Sequence, residues 1–147
     1  MPSEFAVSRT VEVAETDMAG LMHFSNYFRW MEACEAAFYR SLGLPMAMFC
    51  DPARQAWPRV KVECEYQAPL RFNDTAEVKL FVKRVGGKSV TYVFTFRTEG
   101  RLTARGEMTV VCVAADPAAP GGMTSTSLPA EFRAKLQVAN ESAYAAG

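Results

Sequence analysis

The chain has 147 residues, 50% of them hydrophobic and 22% charged, with 16 Lys plus Arg balanced by 16 Asp plus Glu. This composition is globular rather than disordered, suits one core, and offers no net charge to draw the protein onto nucleic acid or an anionic membrane. No apolar run approaches the ~20 residues of a bilayer span, and the opening Met-Pro-Ser-Glu-Phe lacks the regions of a signal peptide, so neither is expected.

Residues 5–13 alternate loosely, with Phe5, Val7, Val11 and Val13 on one side and Arg9 interrupting, and predict a first strand. A Gly-containing loop follows over 14–25. Ser25 or Asn26 suits a helix N-cap, and the helix runs to about Leu42. At 100° per residue, Tyr27, Trp30, Met31, Cys34, Phe38 and Leu42 share a face, while Arg29, Glu32, Ala36 and Arg40 fall opposite. Gly43 suits the C′ position and Pro45 blocks continuation. Residues 46–58 show no period and read as a loop.

Strand signals then dominate. Val60, Val62, Cys64 and Tyr66 alternate with Lys61, Glu63, Glu65 and Gln67. A turn occupies 68–74, Ala76, Val78, Leu80 and Val82 alternate again, and Gly86-Gly87 marks a hairpin. Val90, Tyr92, Phe94 and Phe96 give the next strand, Glu99-Gly100 a turn, and Leu102 to about Val113 the last strand. Short turns between successive strands imply an antiparallel sheet, and one long helix against it is an α+β layer. Phe81, Val93, Val111 and Val113 are apolar at outward positions, so that face, or an edge strand, is expected to meet another subunit.

Residues 116–122 read as a linker, 129 to about 138 as a short helix with Phe132 and Leu136 inward, and the last residues as frayed. The whole chain, 1–147, is expected to be one domain with its core over about 5–115. Cys34, Cys50, Cys64 and Cys112 lack Cys-x-x-Cys spacing and the chain holds one histidine, so no metal site is expected. They read as reduced, mostly core cysteines of a cytoplasmic protein.

Residues 15–32 carry the chemistry. Asp17 lies in a loop that runs straight into the long helix. A helix N-terminus presents unpaired amides and the positive end of a dipole, which can polarise a carbonyl or hold an anion. A carboxylate a few residues earlier can then act on what is held there, the skeleton of a hydrolytic site.

Thr16-Asp17, Ala19-Gly20, Leu21-Met22 and Asn26-Tyr27-Phe28-Arg29-Trp30 resemble the 4-hydroxybenzoyl-CoA thioesterase family. So do Ala68-Pro69-Leu70-Arg71-Phe72-Asn73-Asp74, Lys88-Ser89 and Leu128-Pro129-Ala130-Glu131-Phe132, and the resemblance covers residues 7 to about 137. It implies the hotdog fold, a long central helix wrapped by a curved antiparallel sheet of about five strands, with a short C-terminal helix. It also implies an acyl-CoA thioesterase that releases a carboxylic acid and CoA, with no cofactor beyond the CoA of its substrate. A homodimer or homotetramer with sites at the subunit interface is implied too. One departure is His23-Phe24, where many relatives carry Tyr-His or an aromatic-Tyr pair.

Within that resemblance Asp17 is the catalytic carboxylate, either a nucleophile forming a mixed anhydride or a base activating water; its structural use would be an Asx turn. Gly20 and the amides near Phe24 to Asn26 would bind the thioester oxygen as charge grows on it. His23 could orient water or hydrogen-bond the acyl group. Asn26 serves as a cap or holds water, and Tyr27 lines the acyl pocket or packs the core. Lys88, beside Ser89, would bind CoA phosphates. Glu35, on the flank of the buried stripe, is a second catalytic candidate or the partner of an arginine. Two other readings use the same residues: a hydratase or dehydratase of 3-hydroxyacyl thioesters pairing His23 with Glu35, and a non-catalytic acyl-CoA-binding protein.

Overall fold

The structure, a computed structural model, describes residues 2–51 and 55–145, the side chain of Cys50 excepted. The core assignment of Cys50 therefore lies outside the described residues.

Strand β1 spans Glu4–Thr10 and ends earlier than the alternation predicts. At Val11 the chain turns to the 73–74 loop instead: Val11 N–H donates to the Asp74 carbonyl (2.9 Å) and Asn73 N–H to that of Val11 (3.0 Å). Val13–Glu15 then wind into one 3-10 turn, closed by Glu12 N–H donating to Glu15 Oε1 at 2.9 Å. Val13, predicted inside, is 68% exposed. The interrupting Arg9 has a use, since its guanidinium carbon lies 5.6 Å from the Trp30 ring centroid.

Helix α1 spans Ser25–Ser41, with Trp30, Met31, Cys34 and Phe38 fully buried on the predicted stripe. It stops where expected, with Gly43 at φ 71°. Neither Ser25 nor Asn26 caps it: the position before its first residue is Phe24, itself in helical geometry. The stretch predicted as loop holds a single helical turn, α2 (Ala47–Cys50), pinned by the Trp57 indole donating to the Met48 carbonyl at 2.8 Å.

Strands β2 (Arg59–Tyr66), β3 (Thr75–Val85), β4 (Ser89–Thr98) and β5 (Arg101–Val111) join β1 in one antiparallel sheet of order β1-β3-β4-β5-β2. Helix α1 packs against β1, β2 and β3. The even-numbered residues of β3, β4 and β5 point into that contact, and Val78, Leu80, Val90, Phe94, Phe96 and Val110 are fully buried. This is the hotdog architecture. Edge strand β2 departs from the half-buried pattern, because Val60 is 61% and Tyr66 46% exposed.

After β5 the chain forms β6 (Val113–Ala115) and β7 (Met123–Ser125), which pair with each other. The predicted linker 116–122 is therefore the connection of a small hairpin. Helix α3 (Ala130–Ala134) is shorter than predicted, yet Phe132 and Leu136 are buried as expected. The final stretch is not frayed up to residue 145: it crosses the outer face of the sheet and ends in the turn α4 (Ser142–Ala145).

Gly106 on β5 lets α1 approach. A Cβ there would stand 2.6 Å from Met31 Sδ and 3.3 Å from the Glu63 carbonyl oxygen. Overpacking of this kind costs about 1–3 kcal/mol. Gly106→Val should lower the urea midpoint accordingly; an unchanged midpoint would show that Met31 moves aside at no cost.

Candidate active site

The loop before α1 is fastened to the helix by Glu15, a residue the sequence reading passed over. Its Oε2 accepts the indole N–H of fully buried Trp30 at 2.7 Å. Its carbonyl accepts the Asn26 side-chain amide (2.8 Å) and the His23 backbone N–H (2.8 Å). A buried indole donor needs an acceptor, and an acidic residue in the preceding loop was the signal available. Asn26 thus ties the loop down rather than capping the helix.

Asp17 sits at the turn of this loop. Its backbone N–H donates to the Leu21 carbonyl at 2.7 Å, and its Oδ1 accepts the N–H groups of Ala19 (2.8 Å) and Leu21 (3.1 Å). The Asx turn is therefore present. It uses one carboxylate oxygen, and among the described residues no donor contacts Oδ2. Gly20, at φ 79°, supplies the left-handed residue, and its N–H is spent on the Asp17 carbonyl at 3.1 Å. That bond removes Gly20 from the candidate oxyanion donors and leaves it the turn.

At the helix entrance His23 does the capping. Its Nδ1 accepts the Ser25 N–H at 3.3 Å and lies 2.8 Å from Ser25 Oγ. The ring stacks on Phe24, with centroids 4.4 Å apart. Asn26 N–H donates to the His23 carbonyl and Tyr27 N–H to that of Phe24. The Phe24 N–H has no acceptor among the described residues.

Asp17 and Phe24, but not Gly20, His23 or Asn26, line a cavity of about 320 Å³, together with Leu21, Tyr27 and Tyr66 and with Ala68-Pro69. Tyr27 stands edge-on to Tyr66 (4.8 Å), and burial pushes its phenol up to about 12, so it stays neutral. The Tyr66 hydroxyl donates to the Phe24 carbonyl at 3.1 Å. Burial likewise pushes the Cys34 and Cys64 thiols up to about 12 and raises Cys112, which makes none of them a ready thiolate.

Two predicted groups lie elsewhere. Lys88 and Ser89 stand at the hairpin after β3, whose 11 residues separate them from the Asp17 loop. A straight strand of that length spans at most roughly 35 Å at ~3.3 Å per residue, and the two groups stand at its opposite ends. Glu35 borders a separate cavity of about 250 Å³, with Glu32, Tyr39, Phe49, Trp57 and Arg59. It is 2% exposed, ion-paired to Arg59, and accepts the Tyr39 hydroxyl at 3.1 Å, which in turn lies 3.0 Å from that of Tyr92. The structure does not pair His23 with Glu35.

Burial pushes the Glu35 carboxyl up, Arg59 and Tyr39 pull it back, and Glu32 adds to the rise, leaving it at about 7 against an ordinary 4.5. The folded state then binds more protons than the unfolded one. This group's contribution to stability is full below the ordinary carboxylate range and is lost as pH rises through 7. Glu35→Gln should therefore flatten the fall in urea midpoint between about pH 5 and about pH 8. A variant that keeps the wild-type slope would assign it to other groups.

The profile of the thioesterase-like superfamily matches residues 11–136. A 1,4-dihydroxy-2-naphthoyl-CoA hydrolase of Synechococcus sp. (strain RCC307) is 32% identical over 108 residues, covering 69% of this chain and 80% of its own. Among solved structures, the gentisyl-coenzyme A thioesterase BH1999 is similar with TM-score 0.77 at 25% identity, over 88% of this chain and 99% of that one. The 1,4-dihydroxy-2-naphthoyl-CoA thioesterase Slr0204 from Synechocystis shares the fold with TM-score 0.80 at 21% identity, over 90% and 95% of the two chains. With the helix, the sheet order and the Asp17 loop in place, the chain belongs to the thioesterase-like superfamily of hotdog proteins.

Proposed function

We propose that Asp17 and the Phe24 N–H are the acting groups of this acyl-CoA thioesterase. The observation that carries the reading is their meeting at one cavity, each with a hydrogen-bonding position unused by the fold. A thioester carbonyl placed there would rest its oxygen on the Phe24 amide, which strengthens its hold as the tetrahedral intermediate gains charge. Asp17 Oδ2 either attacks the carbonyl carbon, expelling CoA thiolate and leaving an anhydride for water to open, or takes a proton from the attacking water. Both routes end in a carboxylic acid and free CoA, and neither uses a cofactor beyond the substrate's own CoA.

The acyl group we favour is aromatic. Relatives are named for dihydroxynaphthoyl and gentisyl thioesters, and the cavity walls here include Phe24, Tyr27 and Tyr66. The proposal also includes a homodimer, built by antiparallel self-pairing of edge strand β2. In full register that pairing sets Arg59 opposite the partner's Tyr66. The Asp17 cavity of one chain would then adjoin the Glu35 cavity and the Lys88–Ser89 hairpin of the other, which gives Lys88 access to CoA phosphates. A homotetramer is two such dimers. Buried thiols at Cys34 and Cys112 fit a reducing, cytoplasmic setting.

Assayed on a panel of short, long and aromatic acyl-CoAs, the protein should turn over the aromatic members best. Asp17→Asn should lower kcat by about three orders of magnitude with little change in KM, since it removes a group acting on the reacting atoms. Near-wild-type turnover would pass the role to another carboxylate. Val62→Asp, on the exposed inner face of β2, should reduce the solution mass to one chain and abolish activity with it. An active monomer would sink the interface site.

A further inference from the structure

The pairing of β2 with β5 is irregular at Arg59. Lys61, Glu63 and Glu65 stand opposite Thr109, Glu107 and Arg105, on the outer face of the sheet. Strict alternation would put Arg59 on that face too. Instead the register shifts between Arg59 and Lys61, and Arg59 stands opposite Val110, fully buried on the inner face. A bulge re-aims a side chain in this way. Here it turns a guanidinium toward α1 and onto the carboxylate of Glu35.

A buried ion pair stabilises a fold no more than apolar residues of the same volume would. Packing therefore does not account for this one, and it borders the cavity of about 250 Å³. Its two members face that cavity unequally, since the Glu35 side chain is 3% exposed and that of Arg59 31%. Arg59 donates one N–H to Glu35 and one to the Trp57 carbonyl (3.0 Å). A guanidinium carries further N–H groups, and these have no acceptor among the described residues. The rings of Tyr39, Phe49 and Trp57 supply flat apolar walls. What a flat ligand must bring to Arg59 is an acceptor, and a planar carboxylate matches the guanidinium fork.

Glu35 is suited to give way to such a group. Arg59 stays a cation, while burial keeps the phenols of Tyr39 and Tyr92 and the thiol of Cys34 neutral. Glu32, the other carboxylate at the cavity, is exposed to solvent. Glu35, pushed up to about 7, is thus the buried member that can take a proton when a second anion arrives.

We propose that the Glu35–Arg59 cavity receives the far end of the acyl group and selects for a second carboxylate on it, Arg59 passing from Glu35 to the ligand as Glu35 takes a proton from solvent. The inference rests on the thioesterase reading and on the β2-paired dimer, which sets this cavity beside the partner's Asp17. Its test is calorimetric titration of the wild-type protein with three thioethers that no thioesterase cleaves: S-(4-carboxybenzyl)-, S-(4-hydroxybenzyl)- and S-(4-methylbenzyl)-CoA. At about pH 6 the carboxyl ligand should bind roughly tenfold tighter than the methyl one. Titrated at about pH 8 in two buffers of different ionisation enthalpy, it should bind with uptake of about one proton. Glu35→Gln should abolish that uptake and keep the preference. Arg59→Met combined with Glu35→Gln should abolish the preference and leave the methyl ligand's affinity unchanged. Equal or undetectable binding, tightest binding by the hydroxyl ligand, no proton uptake, or a preference that outlasts Arg59 would overturn the proposal. These affinities do not depend on turnover, so a preference found in a protein that hydrolyses no acyl-CoA would sink the thioesterase reading alone.

Discussion

The indole N–H of Trp30 is the constraint around which the site is arranged. Trp30 is fully buried in the middle of the helical stripe, so its one polar atom must find an acceptor inside the protein. Glu15 provides it, and doing so draws the preceding loop against the helix. From that point the same residue's carbonyl collects the Asn26 side chain and the His23 amide. The loop carrying Asp17 is thus held by core packing as well as by its own turn, which is the kind of support the carboxylate's proposed role needs.

The local hydrogen bonds then divide the candidates. Amides at Ala19, Gly20, Leu21, Ser25, Asn26 and Tyr27 are occupied by the fold, whereas the N–H of Phe24, a residue lining the cavity, has no acceptor among the described residues. An apolar side chain is compatible with the role proposed for Phe24, which asks only for its backbone N–H. His23 replaces a hydroxyl or carboxylate cap with a ring nitrogen, so its place in the motif is accounted for by the helix entrance. Glu35 and Arg59 form a different environment, in which the carboxylate is buried and paired, its charge is expensive and aromatic walls stand close by.

The helix and the inner faces of the strands were legible in the sequence because their periods are set by burial on one side. Trp30, Met31, Cys34 and Phe38 fall where a 3.6-residue period puts them, and Val78 and Leu80 where a two-residue period does. Legibility failed where long-range contacts override local pattern. Val13 has the right parity for β1, but the chain leaves the strand at Val11, whose backbone is bonded to the Asn73-Asp74 turn. Alternation in β2 predicts one buried face, yet its place at the sheet edge leaves both largely open. Asp17 could be picked out by type and context, whereas Glu15 acts through a tertiary contact that no spacing rule announces. The terminal residues read as frayed because nothing in Ala139 to Tyr144 forms an element until the sheet is there to pack on.

Tyr66 has a consequence of its own. It belongs to the edge strand and is 46% exposed, yet its hydroxyl holds the carbonyl of the residue at the helix entrance. Sliding β2 by one residue would turn Tyr66 to the opposite face of the sheet and release that carbonyl. The arrangement cannot be relaxed by degrees, since a strand offers only two facings. The alignment of β2 is therefore recorded at the start of the helix as an all-or-none mark, written by a single phenol.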